Sequence, residues 1–228
     1  GGKVIVEQSV FVGSNNIEIE IVAYDKFDLS NTWKNICDVA KQKYNVNVDF
    51  IHGNHIDAGN YDSTFDIITS NAVHEHIMDL NSLMSSYSRM LKKNGIIFAS
   101  HSQYLGYGAD HFSGKDKFSH GFNHLLLEDK KYREFLDSYG ELGYPDPEND
   151  GRFWIYNNIL NDYSLGDFVK LYGNCFNQKY LGVKIDKRTV RFREEYPTLY
   201  KRLMEKVGKE QESQLYVKGM QVLLTKQG

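Results

Sequence analysis

Between residues 65 and 100 the period of apolar positions changes twice, in the order strand, helix, strand. Phe65-Asp66-Ile67-Ile68-Thr69-Ser70 is an apolar, β-branched run that predicts a strand buried on both faces, ending at the polar pair Ser70-Asn71. Ile77, Leu80, Leu83, Met84, Tyr87 and Leu91 then recur at steps of three and four. That spacing predicts one buried helical stripe, closed by Lys92-Lys93-Asn94-Gly95. Ile96-Ile97-Phe98-Ala99-Ser100 returns as a second strand. Two strands joined by a helix make a βαβ unit, whose crossover is right-handed and whose ligands collect at the carboxyl ends of the strands. Asn71, His74, His76 and His101 fall near that edge.

Upstream, the run from Ile17 to Tyr24 first alternates apolar and acidic residues and then turns continuously apolar, which predicts a strand ending at Asp25. Trp33, Ile36, Cys37, Val39 and Ala40 fit a helix begun near Asn31, with Asp28 or Ser30 as its cap, and Val46 to Ile51 supplies another strand. This alternation from residue 17 to residue 100 predicts a parallel sheet with helices on both faces. After Ser100 the chain becomes rich in glycine, aromatics and histidine, without a clear period. A helical pattern over Leu125 to Tyr139 precedes the Gly143-Tyr144-Pro145-Asp146-Pro147 break. The stretch 101–161 is therefore expected to be a lid or substrate-binding insertion within a single domain spanning 1–228. Ser164 is placed to cap a further helix. Tyr180 to Ile185 and Val217 to Leu224 are expected to pair as an antiparallel edge, separated by a charged helix around Tyr196 to Val207.

Bulk properties narrow the choice of partner. The chain has 228 residues, a formal net charge of -3 and a pI near 6.3. Such a balance argues against an electrostatic nucleic-acid binder. The most basic stretch, Lys184 to Arg193, is interrupted by Asp186 and is expected to be a solvated face. No apolar run approaches the ~20 residues of a membrane helix, so the expectation is a cytoplasmic protein without a membrane partner. Only Cys37 and Cys175 occur, which suits a reducing compartment. The 16 tyrosines and 13 phenylalanines favour an aromatic pocket or lid over a plain polar surface.

The order of the strands and the residues that close them resemble the class I S-adenosylmethionine-dependent methyltransferases, of the small-molecule, type-11-like kind. Asp25 closes one strand, Gly53-Asn54 follows the next, and FDIITSNAVHEHI resembles the family pattern FDxVxSNxVxEHI. Leu91-Lys92-Lys93-Asn94-Gly95 resembles the LKPGG turn without its proline. The resemblance implies a doubly wound, mostly parallel Rossmann-like α/β fold and S-adenosyl-L-methionine as cofactor. It further implies that Asp25 holds the ribose hydroxyls, that Gly53 and Asn54 border the adenine, and that Asn71 and Ala72 line the methionyl end. For Asp25 and for Gly53-Asn54 the alternative is a plain strand-end turn. The family's glycine-rich loop has no counterpart beyond Gly1-Gly2, which are either its last glycines or residual vector sequence. A chain beginning inside that loop is expected to bind cofactor poorly.

All eight histidines lie between His52 and His124. Methyl transfer to oxygen or nitrogen needs an aligned nucleophile and often a base, and a histidine of near-neutral pKa suits that task. His101 and His74 are the candidates, with His111 third; the alternative for each is a hydrogen bond to loop backbone. His74-Glu75-His76 with Asp110-His111 offers nitrogen and oxygen ligands and leaves a metal-dependent hydrolase open, although residues two apart on a helix diverge and no HxxEH or HExxH spacing occurs, so no metal is assigned. The expected reaction is methyl transfer to a hydroxyl or amine of a small molecule, such as a sugar or another hydroxylated metabolite. A catalytically inactive binding or scaffolding domain remains the other alternative.

Overall fold

The computed structural model describes residues 19–25, 30–53, 61–110, 118–138 and 160–227, and the chain divides into two units, Gly1–Asp62 and Ser63–Gly228. In the first unit, β1 (Glu20–Asp25) and β2 (Asn47–His52) are parallel, in a register that runs from Glu20 opposite Asn47 to Asp25 opposite His52. The helix between them, α1 (Ser30–Tyr44), buries Trp33 and Ala40 against Ala23, Val46 and Val48, and Trp33 stacks on Phe50 at 4.5 Å. Asn45 leaves the helix at φ +54°, a conformation asparagine tolerates well, and donates its N–H to the Lys41 carbonyl at 3.0 Å.

The second unit opens with β3 (Phe65–Asn71), a 3-10 turn at His74–His76, α2 (Leu80–Met90) and β4 (Leu91–Ser102). The short helices α3 (Asn123–Leu126) and α4 (Asp129–Asp137) come next, then α5 (Leu165–Cys175) and β5 (Phe176–Ile185). The unit closes with α6 (Lys187–Glu195), α7 (Pro197–Val207), α8 (Glu212–Leu215) and β6 (Val217–Lys226). Its sheet has the order β3-β4-β6-β5, with β3 and β4 parallel and β6 antiparallel to both of its neighbours. The fold is thus α/β with a mixed sheet. The expected antiparallel pairing of the last two strands is present, with β6 inside the sheet and β5 outside.

The amphipathic stripe reads correctly in α2, where Leu80, Leu83, Met84 and Tyr87 are buried and Asp79 caps the helix by accepting the Ser82 N–H at 3.0 Å. Ile77 lies outside it, in extended backbone after the 3-10 turn. Two expectations for the flanking strands need correction. β3 is not buried on both faces: Ile67 is 54% exposed, because among the described residues β3 is an outer strand paired with β4 alone. β4 is longer than Ile96 to Ser100, since Phe65 pairs with Leu91 and Ile67 with Ile96. Residues 92–95 therefore bulge out of the ladder, with Asn94 at φ +66°.

Further along, Ser164 and Asp167 form a reciprocal capping box at the start of α5. The charged helix expected around Tyr196 to Val207 is present as α7, with Pro197 in its first turn, and a further helix that was not expected, α6, precedes it. Leu105, Tyr107, Phe122 and Leu126 pack with Phe192, Tyr200, Leu203 and Leu215 in one apolar cluster. The basic stretch Lys184 to Arg193 is more than a solvated face. Arg188, Arg191 and Arg193 lie over the rings of Tyr107, Phe118 and Tyr200 at 4.6, 4.5 and 5.5 Å, as cations favour. No helix among the described residues is long and apolar enough to cross a membrane.

Candidate active site

Parallel strands deliver their carboxyl ends to one edge, and the candidate residues sit on such edges within each unit. In the first unit Asp25 ends β1 opposite His52, and the Gly53 N–H donates to the Asp25 carbonyl at 3.0 Å. Asn54, Gly1, Gly2 and His111 lie outside the described residues. In the second unit Asn71 ends β3 opposite Ser100, and Ala72 follows at φ +54°. That left-handed conformation costs an alanine about 1 kcal/mol, and it aims the Ala72 N–H at the Ser100 carbonyl at 2.7 Å. Such strain is concentrated at functional edges, and among the described residues of this edge it falls on Ala72.

His74, just after β3, and His101, near the end of β4, are brought together with ring centroids 5.1 Å apart. Both are buried, at 0% and 5% exposure. The link between them is a residue that sequence reading did not select: the Tyr172 hydroxyl of α5 lies 2.6 Å from His74 Nδ1 and 2.6 Å from His101 Nε2. The other nitrogen of His101, Nδ1, is 2.8 Å from the Ser102 carbonyl, and Phe168 of α5 packs its ring 4.2 Å from that of His101. Glu75 Oε1 accepts both the N–H and the hydroxyl of Ser102 at 3.1 Å, whereas Oε2 is buried with no hydrogen-bond partner among the described residues.

Asn161 fixes the turn that carries His74 and Glu75. Its amide donates to the carbonyls of His74 at 2.7 Å and Ile77 at 2.8 Å, and its backbone N–H donates to the Glu75 carbonyl at 2.9 Å. On the far side of His101, β6 approaches β4 so closely that a Cβ on Gly219 would stand 2.6 Å from the His101 carbonyl oxygen. Only glycine permits that spacing.

Electrostatics follow from burial. Loss of water pushes the His101 pKa down, against the opposing pull of the Ser102 carbonyl and of Glu75. Burial raises the Tyr172 hydroxyl well above its ordinary value, reinforced by Tyr87 and Glu75. It also pushes Tyr87 up to about 12, offset in part by Ser70. Burial therefore favours the neutral forms of the His101 imidazole and of the two phenols. A separate buried cluster stands nearer the apolar core, where Tyr132 donates to Asp110 at 2.6 Å and His124 Nε2 lies 3.0 Å from the Tyr104 carbonyl. Burial lowers the His124 pKa, with Asp110 and the Tyr104 carbonyl opposing it.

One depression, of about 400 Å³, lies at the amino ends of β1 and β2, lined among others by Glu20, Asn47, Asp38 and Lys41. Another, of about 500 Å³, runs along α2 from Asn81 to Arg89, with Cys175 and Lys226 beside it. None of the candidate residues lines either depression. Among the described residues no three His, Cys, Asp or Glu side chains group closely enough to hold a metal ion.

Residues 21–99 match the family model described as a methyltransferase domain, and this match spans β1 to β4. Over this segment the chain is similar to methyltransferase domains of type 11, a family whose methyl donor is S-adenosylmethionine. Solved structures of similar fold include an S-adenosylmethionine-dependent methyltransferase from Methanosarcina mazei. It is 15% identical over 96% of this chain and 86% of that one, with a TM-score of 0.51. Another is the [4+2]-cyclase SpnF, 11% identical over 97% of this chain and 71% of that one, also with a TM-score of 0.51. No curated protein matches the sequence.

Proposed function

We propose that this protein transfers a methyl group from S-adenosylmethionine to a hydroxyl or amine of a small molecule, on a doubly wound fold of the class I type. The observation that carries this reading is the coincidence of the family match over 21–99 with the candidate edges. Asp25, Asn71, Ala72 and His74 all lie inside that segment, at or just beyond the carboxyl ends of β1 and β3. The residues present fit the donor. A carboxylate at a strand end, the position Asp25 holds on β1, accepts both hydroxyls of a ribose.

When bound, S-adenosylmethionine supplies an electrophilic methyl group on a sulfonium. In this reading Asp25 orients the ribose, Gly53 and Asn54 border the adenine, and Asn71 and Ala72 line the methionyl portion, with Gly1 and Gly2 at its carboxylate side. His74 or His101 accepts the proton that the acceptor loses, with His111 as a third candidate. Because the first two rings are buried, that proton reaches them along hydrogen bonds rather than from open solvent. Segment 101–161 serves as the acceptor-binding insertion. Positioning and exclusion of water supply most of the rate.

Calorimetric titration of the 228-residue chain with S-adenosylhomocysteine tests the reading. Weak but saturable binding is expected, and Asp25→Ala should weaken it by about a further 10- to 100-fold, the range for a lost hydrogen bond to a charged group. Absence of saturable binding by the parent chain would overturn the proposal in favour of a binding or scaffolding role. SpnF, a [4+2]-cyclase on a similar fold, makes this measurement more telling than fold comparison.

A further inference from the structure

Hydrogen-bond donors and acceptors along His74, Tyr172 and His101 can be assigned without ambiguity in the neutral state. The Ser102 carbonyl can only accept, so His101 Nδ1 carries a proton and Nε2 presents a lone pair. The Tyr172 hydroxyl therefore donates its single proton to His101 Nε2. With that proton committed, Tyr172 Oη can only accept from His74, which places a proton on His74 Nδ1. One backbone carbonyl thus dictates the tautomers of two histidines 27 positions apart in sequence, through a tyrosine that lies 98 and 71 residues from them.

We propose that Tyr172 joins His74 and His101 into one proton-sharing unit that holds at most a single extra proton and moves it from His74 to His101. Tyr172 is then a positioning residue for the base of the methyl-transfer reading, on which its use in catalysis rests. The step balances simply. A proton arrives at the second ring nitrogen of His74; His74 Nδ1–H passes its proton to Tyr172 Oη; Tyr172 passes its own to His101 Nε2. The result is an imidazolium at His101, still bonded to the Ser102 carbonyl, and a neutral His74 in the opposite tautomer. Tyr172 ends as it began, a neutral phenol now pointing its proton at His74.

A second proton is disfavoured, because two imidazolium rings 5.1 Å apart in a buried site would repel strongly. Glu75, whose carboxylate accepts from Ser102 beside His101, favours the charge at that end. Among the described residues, the titratable groups that face these hydrogen bonds from the packed elements include Tyr87 of α2, tilted against His74 at 5.8 Å, and Glu75 of the 3-10 turn. Phe168 of α5 adds an apolar wall on His101.

Ring-nitrogen NMR of the uniformly ¹⁵N-labelled full chain, with neither cofactor nor acceptor added, tests the inference. At pH 8 both His74 and His101 are expected as the Nδ1–H tautomer. In Tyr172→Phe, His101 should keep that tautomer through the Ser102 carbonyl, while His74 loses its preference for it. On acidification the parent chain should take up one proton across the pair, with charge appearing at His101 as His74 switches tautomer. An Nε2–H tautomer on either ring at pH 8, or independent uptake of two protons, would overturn the proposal. Both rings staying neutral until the chain unfolds would likewise overturn it, since the pair would then share no proton. Should Tyr172→Phe fail to fold, the parent spectrum at pH 8 decides alone, and Tyr87→Phe, which should leave both tautomers in place, is the control. Calorimetry with S-adenosylhomocysteine reports on the methyl-transfer reading independently, so the two can fail separately.

Discussion

Tyr172 and Tyr107 are both buried tyrosines of the second unit, and their surroundings could hardly differ more. Around Tyr172 the partners are imidazole nitrogens, and contact is made through short hydrogen bonds of defined direction. Around Tyr107 the partners are Phe122 and Phe192, edge-on at 5.4 and 6.4 Å, with Arg188 over the ring face and the hydroxyl spent on the Phe118 carbonyl. The first environment stores proton mobility, and the second stores packing energy. Similar residue types serve both, so composition alone could not separate site from scaffold.

Substitutions that erode each side should therefore give different signatures. The largest loss is expected from Phe192→Ala in the apolar cluster, about 3–5 kcal/mol of unfolding free energy in urea titration, because a fully buried ring leaves a cavity. That variant, if folded, should leave the ring-nitrogen spectrum of His74 and His101 unchanged; a changed spectrum would show that the two regions are not separable.

Asn161→Ala should cost less, about 2–3 kcal/mol, by stranding the His74 and Ile77 carbonyls. In contrast to Phe192→Ala it should disturb the His74 resonances strongly. Equal spectral effects from both substitutions would dissolve the comparison.

The smallest effect is on pH dependence. Burial lowers the pKa of His101 on the polar side and of His124 near the apolar side. The unfolded chain then binds protons that the folded chain refuses, starting near the ordinary histidine value of about 6.5. Stability should be full above that pH and fall as pH drops below it, by at most about 1.4 kcal/mol per pH unit for each group, until the folded-state value is reached. His124→Gln should remove one share of that slope and leave the other. An unchanged slope would mean that His124 is protonated in the folded state.

The βαβ unit was legible because its information is local. Periodicity located α2, and Ser164 marked the start of α5. Asn71, Ala72, His74 and His101 were recognisable as edge residues for the same reason: each ends a strand or follows one closely. Tyr172 was not, since in sequence it continues the apolar spacing of Phe168 and its polar role depends on partners 71 and 98 residues away. The burial of β3 was misjudged because an apolar run does not say whether a strand has one neighbour or two. Nor could the sequence show that Arg188, Arg191 and Arg193 would lie on rings drawn from three different segments.

Gly219 gives the polar site an adjustment screw with no polar atom in it. Because the β6 backbone rests against the His101 carbonyl through a missing side chain, the tolerance of the hydrogen-bonded chain is set from behind by a gap one methyl group wide. Any larger residue there would act as a shim between two strands, displacing His101 by tenths of an ångström while leaving every donor and acceptor chemically intact. Alignment in this site is thus a mechanical property of the sheet as much as a chemical property of its side chains.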